Sequence, residues 1–271
     1  MGRLRVGLAR VPDRDDPAAA VDAITAAGFD ALEIDLAGGF WMNKEFAGRL
    51  GDAARDQDVA LSVHAPIAAF LGHLERGAKH KRAIGMLDHA SGLAMLAQAQ
   101  LVVVHPGFLL ERERDAALAS VIEQLAELRE RLVAKERTVA FGVEVMGRVR
   151  DLGSEDDVLT IARSLPWVRP VIDFAHLHAV TDGSFREAAQ FQAVLDRVDA
   201  VLDAGSPFHI HFSDIAYANR NETKHLPYGE GTLRAGPLGE ALRAFERDAT
   251  VISESPDEES HRQIGEALRD G

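Results

Sequence analysis

Six consecutive apolar, β-rich runs of this chain finish in side chains that bind metal ions. They read Leu-Ser-Val-His64-Ala-Pro, Val-Val-Val-His105-Pro-Gly, Gly-Val-Glu144-Val, Val-Ile-Asp173-Phe-Ala-His176, His209-Ile-His211-Phe-Ser-Asp214 and Ser253-Glu254-Ser-Pro. A single buried histidine or glutamate at a strand end is ordinarily a hydrogen-bonded structural residue. Several imidazoles and carboxylates gathered at one place repel one another and lose hydration unless cations neutralise them. Neutral imidazoles with carboxylates suit Zn²⁺, Mn²⁺ or Fe²⁺, and so many donors imply more than one ion. A carboxylate such as Glu144 can bridge two cations, and cations of this kind lower the pKa of a water to roughly 7, which gives a nucleophile for hydrolysis. The chain has no Cys, so thiolate metal sites, disulfides and cysteine nucleophiles are excluded.

These residues converge only if the strands that carry them end at one mouth. The expected strands are Leu4–Ala9, Ala31–Leu36, Ala60–His64, Leu101–His105, Val139–Val145, Val168–Asp173, Phe208–Phe212 and Thr250–Ser253. Amphipathic stretches alternate with them: Pro17–Ala27, Lys44–Gln57, Lys79–Gln98, Asp115–Ala134, Glu155–Leu165, Phe185–Ala204, Leu238–Phe245 and Glu258–Leu268. Strict alternation implies parallel strands with helical crossovers, and eight such pairs imply an α/β fold of the (β/α)₈ TIM-barrel type. No linker rich in Ser, Gly or Pro divides the 271 residues, which are read as a single domain, 1–271. In such a barrel the C-terminal strand ends form the mouth where active sites are built.

Composition bounds the partners. With 43 acidic against 30 basic residues the formal charge is −13, which argues against tight non-specific binding of nucleic acid while leaving room for a local cationic site. The N-terminus lacks the apolar core of a signal peptide and no apolar run approaches the ~20 residues needed to span a bilayer, so a cytoplasmic chain without a membrane partner is expected.

The strings Ser62-Val-His-Ala-Pro66, Val104-His-Pro-Gly107, Ile172-Asp-Phe-Ala-His-Leu-His178, His209-Ile-His-Phe-Ser-Asp214, Glu222-Thr-Lys-His-Leu-Pro227 and Ser253-Glu-Ser-Pro256 together resemble the endonuclease IV family. Its archaeal-type branch is nearest, within the xylose-isomerase-like, or AP endonuclease 2, TIM-barrel superfamily. The resemblance covers nearly the whole chain. It implies a site of two to three ions, mostly zinc, that hydrolyses the phosphodiester 5′ to an abasic deoxyribose, with abasic DNA or another phosphodiester as partner. Carried onto this chain, His64 and His105 would bind a first ion and Glu144 would bridge it to a second, acting also on the attacking water. Asp173, His211 and Glu254 would complete the second ion. His176 and His225 would hold a third, with a carboxylate two residues before His225. That place is Thr223 here, with Glu222 beside it, so Glu222 is the candidate ligand.

Two departures bear on substrate. The family carries an aromatic after the His-Ala-Pro-like segment and basic or polar residues after the second strand. Here the stretches read Pro66-Ile-Ala-Ala69 and Leu36-Ala-Gly-Gly-Phe-Trp41. The alternative function is a one-ion sugar isomerase or epimerase of the same superfamily, which requires Glu144, Asp173, His211 and Glu254, with His176 touching the sugar, but not His64, His105 or His225.

Other residues carry weaker signals. His209 lies two positions from His211, which fits either a residue that orients the ligands or a packed barrel-interior imidazole. His178 and Asp214 could orient ligands or belong to solvated loops. Lys79-His80-Lys81-Arg82 reads as a solvated helix face or a contact for a phosphate backbone. Phe40 and Trp41 read as a substrate wedge or a barrel cap, and no role attaches to His73, His89 or His261.

Overall fold

The computed structural model describes residues 2–109 and 111–271. Eight strands close into a barrel: β1 (Leu4–Leu8), β2 (Ala31–Asp35), β3 (Ala60–His64), β4 (Leu101–Val104), β5 (Ala140–Glu144), β6 (Val168–Asp173), β7 (Phe208–Phe212) and, after an inserted hairpin of β8 (Asp214–Ala218) and β9 (Asn221–Leu226), β10 (Ala249–Ser253). The barrel order is β1-β10-β7-β6-β5-β4-β3-β2, closed by β2 on β1, and every pairing is parallel. The helices are α1 (Pro17–Ala26), α2 (Lys44–Asp56), α3 (Ala78–Leu96), α4 (Arg114–Val133), α5 (Glu155–Ser164), α6 (Phe174–Val180), α7 (Ala188–Asp199), α8 (Gly236–Leu242) and α9 (Glu258–Asp270). The chain is a single-domain (β/α)₈ barrel, as the alternation implied.

Local chemistry sets the crossovers. Asp16 caps α1 by accepting from the amides of Ala18 and Ala19 with Pro17 in the first turn, and Ser154 and Asp157 form a reciprocal capping box at α5. The main core, with Leu32, Ile34, Leu50, Phe141, Phe174 and Phe212 fully buried, fills the layer between strands and helices. Inside the barrel the apolar filling is thin, with Ala31, Ala60 and Ile252 in one cluster and Leu101, Val103 and Val171 in another. The remaining inward positions near the mouth are polar. Gly142 lies against the second apolar cluster, where a Cβ would come within 2.8 Å of Leu101 Cδ2 and would strike Val171 as well.

Several elements differ from expectation. β4 stops at Val104, so His105 stands just past the strand, and α7 is shorter than the expected Phe185–Ala204. The short helix α6 follows directly from β6 because Asp173 Oδ1 accepts the amide of His176 at 2.8 Å, and this brings His176 back over the barrel. The hairpin β8–β9 turns through Asn219 and Arg220, both left-handed at φ 51° and 61°. That two-residue geometry is the favoured hairpin turn, but Asn-Arg is a faint signal for it. Among the described residues no helix is long and apolar enough to cross a membrane.

Candidate metal centre

The barrel mouth opens on a cavity of about 400 Å³ lined by His64, His105, Glu144, His176, Glu222, His225 and Glu254, among others. Glu144, at the end of β5, is its hub. Its Oε2 lies 3.3 Å from Nε2 of His64 and 3.0 Å from Nε2 of His105. Its Oε1 lies 3.2 Å from Nδ1 of His211 and 3.6 Å from Nδ1 of His176. Glu254 Oε1 approaches the same His211 nitrogen at 3.4 Å, and Asp173 adds Oδ2, a buried oxygen with no hydrogen-bond partner among the described residues. Two groups of ion-ligand type therefore share Glu144: His64 with His105, and Asp173 with His211 and Glu254.

Ring orientation is set by the backbone. Nδ1 of His64 lies 2.8 Å from the Ala65 carbonyl and Nδ1 of His176 lies 2.8 Å from the Val145 carbonyl, which turns both Nε2 atoms to the cavity. His176 Nε2 meets Glu222 Oε2 at 2.8 Å, and with His225 these residues make the third group.

The third group depends on a β-bulge. Ala216 pairs with Lys224 but Tyr217 pairs with Glu222, so Thr223 is the extra residue of β9, with its hydroxyl donating to the Ala216 carbonyl at 2.9 Å. His225 opposes Ile215, and cross-strand partners share a face, so the bulge puts Glu222 and His225 on one face although they are three residues apart. In a regular strand Thr223 would have shared that face. The Glu222 amide donates to the Gly147 carbonyl at 2.8 Å and fixes β9 against the loop after β5. Gly147 leaves the room, since a Cβ there would lie 2.7 Å from Glu222 Cδ and 2.8 Å from His176 Cδ2.

The buried carboxylates and imidazoles of the mouth perturb one another strongly. Burial disfavours a charge on Glu144, but the adjoining His211 and His105 outweigh it and hold its carboxyl well below the usual range. Burial also opposes protonation of His64, yet its contact with Glu144 carries it up to about 9, and His176 and His211 are pushed up in the same way by neighbouring carboxylates. Burial, with the charges of Glu144 and Asp173, raises Glu254 despite His211. The negative charge gathered against these imidazoles is of the kind divalent ions neutralise. The orphaned Asp173 oxygen and the mixed His and carboxylate donor set both fit such ions.

All nine residues predicted from the sequence, His64, His105, Glu144, Asp173, His176, His211, His225, Glu254 and Glu222, lie in these groups. The others divide. Asp214 accepts from the amides of Gly229, Gly231 and Leu233 and from Arg234, so it shapes a loop and orients no ligand. His178 is buried at 2.9 Å from the Thr232 hydroxyl. His80 is buried 3.1 Å from Glu127, while Lys79, Lys81 and Arg82 are exposed, as on a solvated helix face. Trp41 donates from its indole to the Asp35 carbonyl at 2.8 Å, packs on Phe46 and lies under Arg14, which holds it against β2 and α2.

Sequence reasoning missed His261 of α9, which lines the cavity with Nδ1 2.8 Å from the Ser253 hydroxyl, and Glu33 of β2, at the cavity floor. His261 lies in a polar helix where nothing marks it. Glu33 interrupts the apolar strand Ala-Leu-Glu-Ile, and a charge inside a parallel strand is a signal that something must neutralise it.

Residues 21–270 match the family described as Xylose isomerase-like TIM barrel. The chain belongs to that family. An uncharacterized protein of Methanocaldococcus jannaschii is 28% identical over 253 residues, covering 92% of this chain and 91% of its own length. A probable endonuclease 4 of Latilactobacillus sakei is 25% identical over 175 residues, 62% of this chain and 56% of its own. Among solved structures, a D-tagatose 3-epimerase-like protein superposes with a TM-score of 0.77 at 19% identity, over 98% of this chain and 96% of its own. The chain is thus similar in sequence to a probable endonuclease and in fold to an epimerase-like protein.

Proposed function

We propose that the chain is a metal-dependent phosphodiester hydrolase of the endonuclease IV type, cutting DNA 5′ to an abasic site with two or three divalent ions. Zinc is the first choice, with manganese or iron as substitutes. The observation that carries this reading is the split engagement of Glu144, one oxygen toward His64 and His105 and the other toward His211. A one-ion epimerase needs the Glu144, Asp173, His211 and Glu254 group, and His64, His105 and His225 would then have no purpose.

His64, His105 and Glu144 would hold one ion, Glu144, Asp173, His211 and Glu254 a second, and His176, Glu222 and His225 a third. Ions there supply Lewis acidity toward the phosphodiester and toward the developing charge on the departing oxygen. The chain itself contributes a buried Glu144 whose two oxygens lie between the first two groups, and backbone carbonyls that aim His64 and His176. Arg10 and Lys224 bring exposed positive charge to a rim otherwise rich in carboxylates, where a phosphate would meet it. Ile67, 48% exposed in the short turn after Pro66, is the apolar element at the same rim.

The test is to assay the purified chain for nicking of an oligonucleotide containing an abasic analogue, with and without chelator, beside an assay for ketose interconversion. Chelator-sensitive nicking supports the hydrolase. Ketose interconversion without nicking, with one ion per chain, supports the epimerase.

A further inference from the structure

Below the hub carboxylate lies another that the predicted ligand set leaves out. Glu33, in the middle of β2, is fully buried. Its Oε1 is 3.0 Å from Nε2 of His211, a close contact in which neither atom has a hydrogen-bond partner among the described residues, and its Oε2 is 3.1 Å from Nε2 of His209. The Ser62 hydroxyl donates to Oε2 at 2.7 Å. Strand geometry accounts for all three contacts. Ser62 is the register partner of Glu33 across β2 and β3, and the two-residue period of β7 turns both His209 and His211 inward.

His211 therefore stands between two sets of carboxylates. Nδ1 faces Glu144 and Glu254 at 3.2 and 3.4 Å, and Nε2 faces Glu33. Glu33, His209 and His211 also have the residue types and closeness of an ion site in their own right. The chemistry of imidazole decides between the two roles. A neutral ring has one lone pair and one N–H, so a ring that gives the Nδ1 lone pair to an ion keeps its proton on Nε2. Binding ions on both sides would require His211 to lose both protons. A carboxylate opposite the protonated nitrogen of a ligating histidine fixes the ring and strengthens it as a donor.

We propose that Glu33 is a positioning residue whose Oε1 takes a hydrogen bond from the Nε2–H of His211 once Nδ1 ligates an ion, and so holds Nδ1 toward the Glu144, Asp173 and Glu254 group. Ser62 and His209, each contacting Oε2, keep the carboxylate from turning away. This rests on the reading that His211 ligates an ion.

The test measures zinc affinity and stoichiometry by competition with a chromophoric chelator, for the unaltered chain, Glu33→Gln and His211→Ala. Glu33→Gln is expected to weaken one class of site about 10- to 100-fold while excess zinc still fills every site. His211→Ala is expected to abolish that same class. A stoichiometry lower by one in Glu33→Gln at excess zinc would make Glu33 a ligand and overturn the proposal, as would unaltered affinity. If His211→Ala leaves every class intact, the ion reading itself fails, and that failure is distinct from one confined to Glu33. Should Glu33→Gln not fold, long-range proton–nitrogen spectra of the zinc-loaded unaltered chain decide. His211 with its proton on Nε2 supports the proposal, and a proton on Nδ1 overturns it.

Discussion

Oε2 of Glu222 lies 2.8 Å from Nε2 of His176, so that the hairpin inserted after β7 meets the short helix that follows the neighbouring β6. The contact exists because the bulge at Thr223 turns Glu222 toward the cavity and because Gly147 leaves the space. Two predictions follow from it.

Replacing Glu222 with Gln keeps its size and removes its charge. A third ion would then be held by two neutral imidazoles, which leaves it short of donors and of compensating charge. Glu222→Gln is expected to lose one ion per chain on dialysis while the ions around Glu144 remain, as read by elemental analysis. Retention of all ions would show that Glu222 is not a ligand.

Gly147→Ala places a methyl group 2.8 Å from His176 Cδ2 and 2.7 Å from Glu222 Cδ, closer than carbon atoms pack. The side chain of Glu222 has the freedom to move away, so the fold should survive with a melting temperature within a few degrees of the original. The same single ion should be lost as in Glu222→Gln. Full retention with an unshifted Glu222 in a crystal structure would contradict the packing argument.

Glu144 offers both oxygens to the first two groups, so Glu144→Gln should affect two ions together. Nicking of an abasic oligonucleotide is expected to fall by more than about 100-fold, the upper end of what residues behind the ligands contribute. Elemental analysis should show the loss of more than one ion. Loss of a single ion, with His64→Ala and His105→Ala variants otherwise unaltered in ion content, would favour the one-ion epimerase.

Far from the mouth, Asp88 of α3 gathers Arg131 and Lys135 at 2.8 and 2.5 Å, and also pairs with Arg137, tying α3 to α4 and to the segment before β5. Burial works against its charge, but the bond to Lys135 and the three cations hold its pKa below the ordinary 3.8. Arg131 and Lys135 are each more than two-fifths exposed, which screens the pairs, so Asp88→Asn should cost about 1–2 kcal/mol. Because the folded-state pKa is lowered, this stabilisation is complete above the unfolded value and is lost as pH falls through the folded one. The difference in melting temperature between Asp88→Asn and the original should hold from pH 7 to about 5 and shrink below about 4. A difference that grew on acidification would contradict it.

The amino-acid sequence by itself determined the barrel and most of the mouth. Strand and helix patterns have short periods and depend on neighbours along the chain, so β–α alternation was legible, and a parallel closed sheet gathers the strand ends wherever their sequences lie. His64, His105, Glu144, Asp173, His211 and Glu254 were therefore placed together from their positions alone. What only the tertiary structure decided are relations that cross strands. That Glu222 rather than Thr223 faces His176 depends on the pairing of β9 with β8, where one extra residue reverses which side chains point inward. That Glu33 stands behind His211 depends on β2 and β7 facing each other across the interior, and their sequences are 176 residues apart at Glu33 and His209. No local pattern records such a contact, because its partner is set by closure of the whole sheet.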